Sequence, residues 1–324
     1  MGDDSGNVRL IGLDDLNAAR AAIAGRLHRT PTCTCATLGE RTDTDLYLKA
    51  ELFQRTGSFK PRGALNKMLS LSDQEKSRGV ITISAGNHAQ GVAFAARAFG
   101  IRATVVMPEA AVRSKVEATR SYGAEVILHG SGKDLLPRAL ELQAERDLTF
   151  VPPFDDPYVI AGQGTVGLEL LEDVPDAEVV VVPIGGGGLI SGVATAVKLL
   201  RPGTRVVGVE PEGAPGMTLS LRDNAPAHLD STNTIADGLA APFVGALNLA
   251  HVQAYVDDVV LLSDEEIVAG LRLLMERAKL QAEPSGAAAF AALLAGKVNA
   301  PPGARVVCVV SGGNLDHAHL KEIL

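Results

Sequence analysis

Tryptophan is absent from this 324-residue chain, and aromatic residues make up only 4% of it. The core must therefore come from aliphatic packing rather than from stacked rings. Cysteine is scarce as well. Cys33, Cys35 and Cys308 are an odd number in a chain too large to need stapling, which excludes a disulfide framework. Cys33-Thr-Cys35 has C-x-C rather than C-x-x-C spacing, with no second pair or histidine cluster after it, so the expectation is reduced thiols without a metal. Thirty Lys and Arg against thirty-eight Asp and Glu give a net charge of -8, which excludes the basic footprint of a nucleic-acid binder. No segment approaches eighteen uninterrupted apolar residues, and "MGDDSGNVRLIG" lacks the basic-then-apolar pattern of a secretion signal. A cytoplasmic protein without a membrane partner is expected.

Aliphatic residues and glycine are abundant: hydrophobic residues reach 46%, and there are 34 glycines. Nine short β-branched runs punctuate the chain: "DLYLKA", "VITIS", "ATVVMP", "AEVILH", "LTFVP", "AEVVVVPIG", "TRVVGVEP", "AYVDDVVLLS" and "ARVVCVVSGG". Between most of them lie segments of helical periodicity such as "HAQGVAFAARAFG". This alternation predicts an α/β protein with mainly parallel sheets flanked by helices. Nine strands exceed an ordinary sheet, so two sheets are expected.

At three places a strand runs into a glycine-bearing loop: "ITISAGNHAQG", "VVVVPIGGGGLISG" and "VVCVVSGGN". Ligands of open parallel sheets bind at the carboxyl ends of strands, where three such loops can surround one molecule. The run Gly185 to Gly188 precedes a helical pattern, and it predicts an anion site where bare backbone meets a helix N-terminus. Gly-Lys-Ser/Thr does not follow, and the G-x-G-x-x-G register fails at Ile190 and Ser191, which argues against a nucleotide loop. A phosphorylated small molecule or cofactor remains, and pyridoxal phosphate is one that demands a lysine. "GSFKPRG" supplies Lys60 beside Phe59, with Ser58 placed to cap and Pro61 suited to a first helical turn. A helix N-terminus and apolar burial both disfavour the ammonium and leave a nucleophilic amine. Taken alone, a lysine before proline is usually an ordinary surface residue.

Seven stretches in sequence order, "SFKPRGA" (58–64), "SAGNHAQGVA" (84–93), "AGQGTVGLEL" (161–170), "PIGGGGLISG" (183–192), "TIADGLA" (234–240), "EPSGAA" (283–288) and "SGGN" (311–314), resemble pyridoxal-phosphate enzymes of the tryptophan-synthase β-subunit fold. The group they resemble is that of the threonine/serine dehydratases and their serine-racemase relatives. The resemblance implies a two-domain fold, with a large cofactor-binding domain at 1–53 plus 146–324 and a small substrate-loop domain at 54–145. It implies that Lys60 binds the cofactor as a Schiff base, that Phe59 packs on its ring, and that Asn87 bonds its phenolic oxygen. Gly185, Gly186, Gly187, Gly188 and Leu189 match the phosphate cup, and Ser311 the hydroxyl facing the pyridine nitrogen. Ser84, Ala85, Gly86, Asn87 and His88 match the loop that receives the substrate carboxylate, with no acid–base role for His88.

The implied reaction is α,β-elimination from a 3-hydroxy amino acid, by default L-threonine or L-serine, to a 2-oxo acid and ammonia. Relatives with similar motifs also act on 3-hydroxyaspartate, phenylserine or intermediates of hydroxyectoine breakdown, which are alternative substrates. Racemases of the group carry a second serine in the substrate loop where this chain has Ala85, which argues against racemisation. They also bind Mg²⁺ or Ca²⁺ through a glutamate, a carbonyl and an aspartate. Glu210 and Ala214 fit that spacing, but the aspartate position is Gly216. Lys133 and Arg138 are further candidates for a substrate carboxylate. The chain ends at "LDHAHLKEIL", so no amino-acid-sensing domain is expected, and relatives suggest a homodimer or homotetramer.

Overall fold

The computed structural model describes residues 9–316, 320 and 321, so residues 1–8, which open "MGDDSGNVRLIG", and most of the last eight residues, in "LDHAHLKEIL", lie outside the described residues. Ten strands occur among the described residues: β1 (Thr32–Thr34), β2 (Asp45–Ala50), β3 (Val80–Ile83), β4 (Ala103–Met107), β5 (Glu125–Leu128), β6 (Thr149–Phe150), β7 (Val179–Pro183), β8 (Arg205–Pro211), β9 (Asp258–Leu262) and β10 (Arg305–Val310). Nine fall within the runs read from the sequence. The addition is β1, three residues around Cys33 that pair antiparallel with β2, too short to leave a periodic signal. In "AYVDDVVLLS" only the second half is a strand, because Ala254 and Tyr255 finish the helix Ala246–Tyr255.

The strands form two sheets, ordered β1-β2-β10-β7-β8-β9 and β5-β4-β3-β6. Every pairing but β1 with β2 is parallel. All five residues of β4 and of β7 are buried, as expected where helices cover both faces of a sheet. In the larger sheet Val179 and Val181 face one apolar cluster with Phe290, while Val180 and Val182 face another with Val193 and Val197. The smaller sheet takes in β6, whose Thr149 and Phe150 pair with Val80 and Ile81. The small sheet thus runs past the boundary expected at 145, because the fourth strand follows the helix Leu135–Arg146.

One helix joins the parts. Pro157–Asp173 starts at Asp156, whose side chain accepts from the N–H groups of Tyr158 and Val159. It is the "AGQGTVGLEL" stretch, and its glycines set two close approaches. A Cβ on Gly162 would fall 2.5 Å from the carbonyl oxygen of Arg62, in the helix Lys60–Ser70. Gly164 meets Gly192 of the helix Gly188–Leu200, where a Cβ on Gly192 would lie 2.4 Å from the Gly164 nitrogen. Two helices, one beginning at Lys60 and one beginning at the tetraglycine run, are held against a common spacer at backbone contact.

A buried charge network fixes the same junction. Arg62 is 1% exposed and donates from Nε and Nη2 to Glu51, which is fully buried, and from Nη1 and Nη2 to Glu169 on the spacer helix, at 2.7–2.9 Å. Burial works against its charge, but Glu51 and Glu169 hold the guanidinium more firmly protonated than usual. Lys49, also fully buried, lies 3.0 Å from Glu169 and donates to the carbonyl of Thr30 at 2.7 Å. Arg62→Met leaves Glu51 without its cation, so it is expected to lower the unfolding free energy by about 3–5 kcal/mol. Urea denaturation near neutral pH measures this, and a loss below about 1 kcal/mol would show the network to be incidental.

Candidate active site

The residues that follow β3, β7 and β10 meet around one cavity of about 220 Å³. Phe59, Lys60, the loop Ser84 to His88, the run Gly185 to Leu189 and Ser311 all line it. Every residue matched to the cofactor or to the substrate loop is thus brought to one place, although up to 252 positions separate them (59 to 311).

Lys60 opens its helix, with Pro61 in the first turn and Phe59 at the cap position. Gly91 of the neighbouring helix makes room for it, since a Cβ there would sit 3.1 Å from the Lys60 Cβ. The amine donates to the carbonyl of Pro153 at 3.1 Å and lies 5.1 Å from the centre of the Phe59 ring. Burial pulls its pKa down to about 8, so the amine loses its proton far more readily than an ordinary lysine does. Ser58 does not cap as expected. Its backbone pairs with Gly312, and its buried hydroxyl has no protein partner.

The second wall is the turn from β3 into the helix Asn87–Ala98. The N–H of Gly86 donates to the Ser84 hydroxyl oxygen at 3.0 Å, which leaves the hydroxyl proton available. Ala85 is exposed to the cavity mouth. The amide of Asn87 is fixed from both sides: its nitrogen donates to Glu283 at 2.6 Å, and its oxygen accepts from Asn314 at 2.8 Å. One N–H of Asn87 therefore remains for a ligand. His88 is buried and shifted down to about 3 by desolvation and, secondarily, by Lys60, so it is neutral.

The third wall is the glycine run. Gly187 has φ of +101°, a conformation side chains resist, and it leads into the helix Gly188–Leu200, whose first N–H groups have no carbonyl one turn earlier. A Cβ on Gly186 would fall 2.3 Å from the Phe154 ring, so only bare backbone fits between ring and cavity. Ser311 lies across the cavity, its hydroxyl 3.5 Å from the carbonyl of Ser285. The set suits pyridoxal phosphate group by group: free backbone donors for a phosphate, a readily deprotonated amine for an aldehyde, an amide N–H for a phenolic oxygen and a hydroxyl for a ring nitrogen.

Three ionisable cavity residues were not singled out from the sequence: Lys115, Asp237 and Glu283. Asp237 and Glu283 sit inside recognisable stretches, "TIADGLA" and "EPSGAA", but Lys115 occupies an ordinary helical pattern with no local signal. Glu283 is buried, which pushes its carboxyl up to about 7 despite Lys115 nearby. The first glycine of "SGGN" explains how it fits, because a Cβ on Gly312 would lie 2.3 Å from its Oε1. Lys133 and Arg138 do not reach the cavity: Lys133 is exposed, and Arg138 pairs with Glu141 at 2.8 Å.

Glu210 is employed differently from a cation ligand. Its oxygens accept from the N–H groups of Met217 and Thr218 and the Thr218 hydroxyl at 2.6–2.8 Å, capping the helix Gly216–Asp223. Burial raises it to about 7. Ala214 is buried next to the cap, and no group of three His, Cys, Asp or Glu side chains suited to a metal occurs among the described residues. Cys33, Cys35 and Cys308 are free thiols, as expected. No helix among the described residues is long and apolar enough to cross a membrane.

The model of one protein family, described as pyridoxal-phosphate dependent enzyme, matches residues 23–312. The L-threonine ammonia-lyase of Thermotoga maritima is 48% identical over 97% of this chain and 78% of its own. The catabolic L-threonine dehydratase TdcB of Escherichia coli is 44% identical over 97% of this chain and 96% of its own. Among solved structures, maize serine racemase superimposes with a TM-score of 0.92 at 40% identity, covering 97% of both chains. With the matched segment spanning all three walls of the cavity, the chain belongs to the family of pyridoxal-phosphate-dependent enzymes.

Proposed function

We propose that the protein is a pyridoxal-phosphate-dependent ammonia-lyase that eliminates the β-hydroxyl of L-threonine, and of L-serine, to give a 2-oxo acid and ammonia. The observation that carries the reading is the pairing of a desolvated Lys60 amine with a loop that offers a hydroxyl and a helix N-terminus to a carboxylate in the same cavity. The two relatives named for threonine support the choice of substrate.

Pyridoxal phosphate, when bound, supplies a conjugated system that takes up negative charge developing at the α-carbon. The glycine run and the helix it opens would hold its phosphate, Asn87 and Ser311 its ring substituents, and Lys60 its reactive carbon. The Ser84 hydroxyl and the first N–H groups of the helix Asn87–Ala98 anchor the substrate carboxylate and so fix the α-carbon. Lys60 Nζ accepts the α-proton. The β-hydroxyl leaves as water, and hydrolysis releases ammonia. Neutral His88, held against the Val151 carbonyl, packs behind the loop without moving a proton.

The likeness to maize serine racemase brings racemisation forward as a second reading. Ala85 stands against it: a methyl group faces the cavity where a racemase needs a proton donor on the other side of the α-carbon from Lys60.

Lys60→Ala is expected to cut ammonia release from L-threonine by at least about a thousandfold and to leave protein that does not turn yellow with pyridoxal phosphate. Colour and turnover matching those of the wild type would refute the assignment. Below about pH 8 the amine is mostly protonated and not nucleophilic, so capture of the cofactor aldehyde by cofactor-free protein should accelerate from pH 6 to pH 9 and level off above. Stopped-flow absorbance reads this rate, and a flat profile would contradict a desolvated Lys60. Ala85→Ser should raise the ratio of D-serine formation to pyruvate formation from L-serine by about tenfold, measured by chiral chromatography, whereas an unchanged ratio would remove Ala85 as the discriminator.

A further inference from the structure

The cavity that holds Lys60 carries a second cation. Lys115 lies in the helix Arg113–Ser121 and is 8% exposed. Its side chain runs directly behind the substrate loop: a Cβ on Gly86 would fall 2.9 Å from Lys115 Cδ and 3.4 Å from its Nζ. The ammonium bonds to Asp237, which is exposed at the cavity mouth in the turn Asp237–Leu239. The pair joins a helix of the small-sheet region to a loop of the large-sheet region. Both residues also line an adjoining cavity of about 550 Å³, whose wall includes Asp264, Glu283 and Asp316.

Charge bookkeeping around the substrate loop depends on this residue. Among the residues lining the active cavity, the only other side chains able to carry positive charge are Lys60 and His88. Burial moves both toward neutrality. Against them stand Asp237 and Glu283 in the same wall. Burial also works against the charge of Lys115, but Asp237, Glu283 and Asp316 more than offset it and keep the ammonium. Without Lys115, a substrate carboxylate entering the loop would meet acidic side chains and no firm cation.

We propose that Lys115 is a positioning residue for substrate binding: held by Asp237 behind Gly86, it supplies the positive charge that lets the Ser84 to His88 loop take a carboxylate. This rests on the reading of that loop as the carboxylate site. The interaction acts through the loop backbone at short range and inside a low-dielectric wall, where one unit charge changes affinity by one to two orders of magnitude.

The test uses the pyridoxal-phosphate-loaded enzyme in wild-type, Lys115→Met, Lys115→Arg, Asp237→Asn and Ser84→Ala forms. L-Lactate probes carboxylate binding, and L-threoninol, which keeps the amine and lacks the carboxylate, controls for general damage. Cofactor content and thermal unfolding report whether each variant is intact. Lys115→Met is expected to raise the L-lactate inhibition constant and the KM for L-threonine by about tenfold or more, with kcat and the L-threoninol constant changed by less than about threefold. Lys115→Arg should restore most of the affinity. Asp237→Asn, which takes the anchoring charge from Lys115 and serves if Lys115→Met does not fold, should weaken L-lactate binding by about threefold and leave the L-threoninol constant unchanged. Equal weakening of L-lactate and L-threoninol in Lys115→Met, or unchanged or tighter L-lactate binding in Asp237→Asn, would overturn the proposal. If Ser84→Ala weakens L-lactate binding and Lys115→Met does not, the proposal for Lys115 fails and the loop reading stands. If Ser84→Ala leaves L-lactate binding unchanged, the loop reading itself fails.

Discussion

The buried contact between Arg62 and the carboxylates of Glu51 and Glu169 is the constraint on which the site depends. It ties the third residue of the Lys60 helix both to the end of β2 and to the spacer helix Pro157–Asp173. A guanidinium buried with two carboxylates gains little net free energy over an apolar replacement, but a broken version is costly. Such a contact therefore specifies position more than it adds stability. Here the position specified is that of the lysine amine relative to the glycine run Gly185 to Gly188.

Backbone proximity extends the same constraint. Gly63 and Gly162 on one side of the spacer, and Gly164 and Gly192 on the other, let three helices approach to backbone contact. The amine and the glycine cup are therefore separated by stacked main chain, which resists compression better than flexible side chains do. The glycines of "AGQGTVGLEL" carry no chemistry of their own, yet they set the distance between the groups that do.

Desolvation then sorts the ionisable groups of the cavity. The same burial that lowers Lys60 and His88 raises Glu283, because each shift favours the neutral form. Lys115 escapes this trend by pairing with Asp237. The cavity thus offers an amine whose pKa is pulled toward neutrality and a retained cation beside the Ser84 to His88 loop, two lysines in one pocket with opposite electrostatic fates.

Much of this was legible in the chain. Alternating β-branched runs and helical periodicity determined the parallel two-sheet fold, and the tetraglycine run, Lys60 and the "SAGNH" loop announced the site, because local backbone geometry needs those residue types at those places. What tertiary structure decided is everything set by contacts distant in sequence. Glu210 satisfies the spacing of a metal ligand, but the helix that returns beside it supplies N–H groups that occupy its oxygens. Ser58 precedes a helix as a cap should, but Gly312 pairs with its backbone from 254 residues away. Lys115 has no local signature at all. The role proposed for it rests on Gly86 and Asp237, which only contacts distant in sequence bring to it.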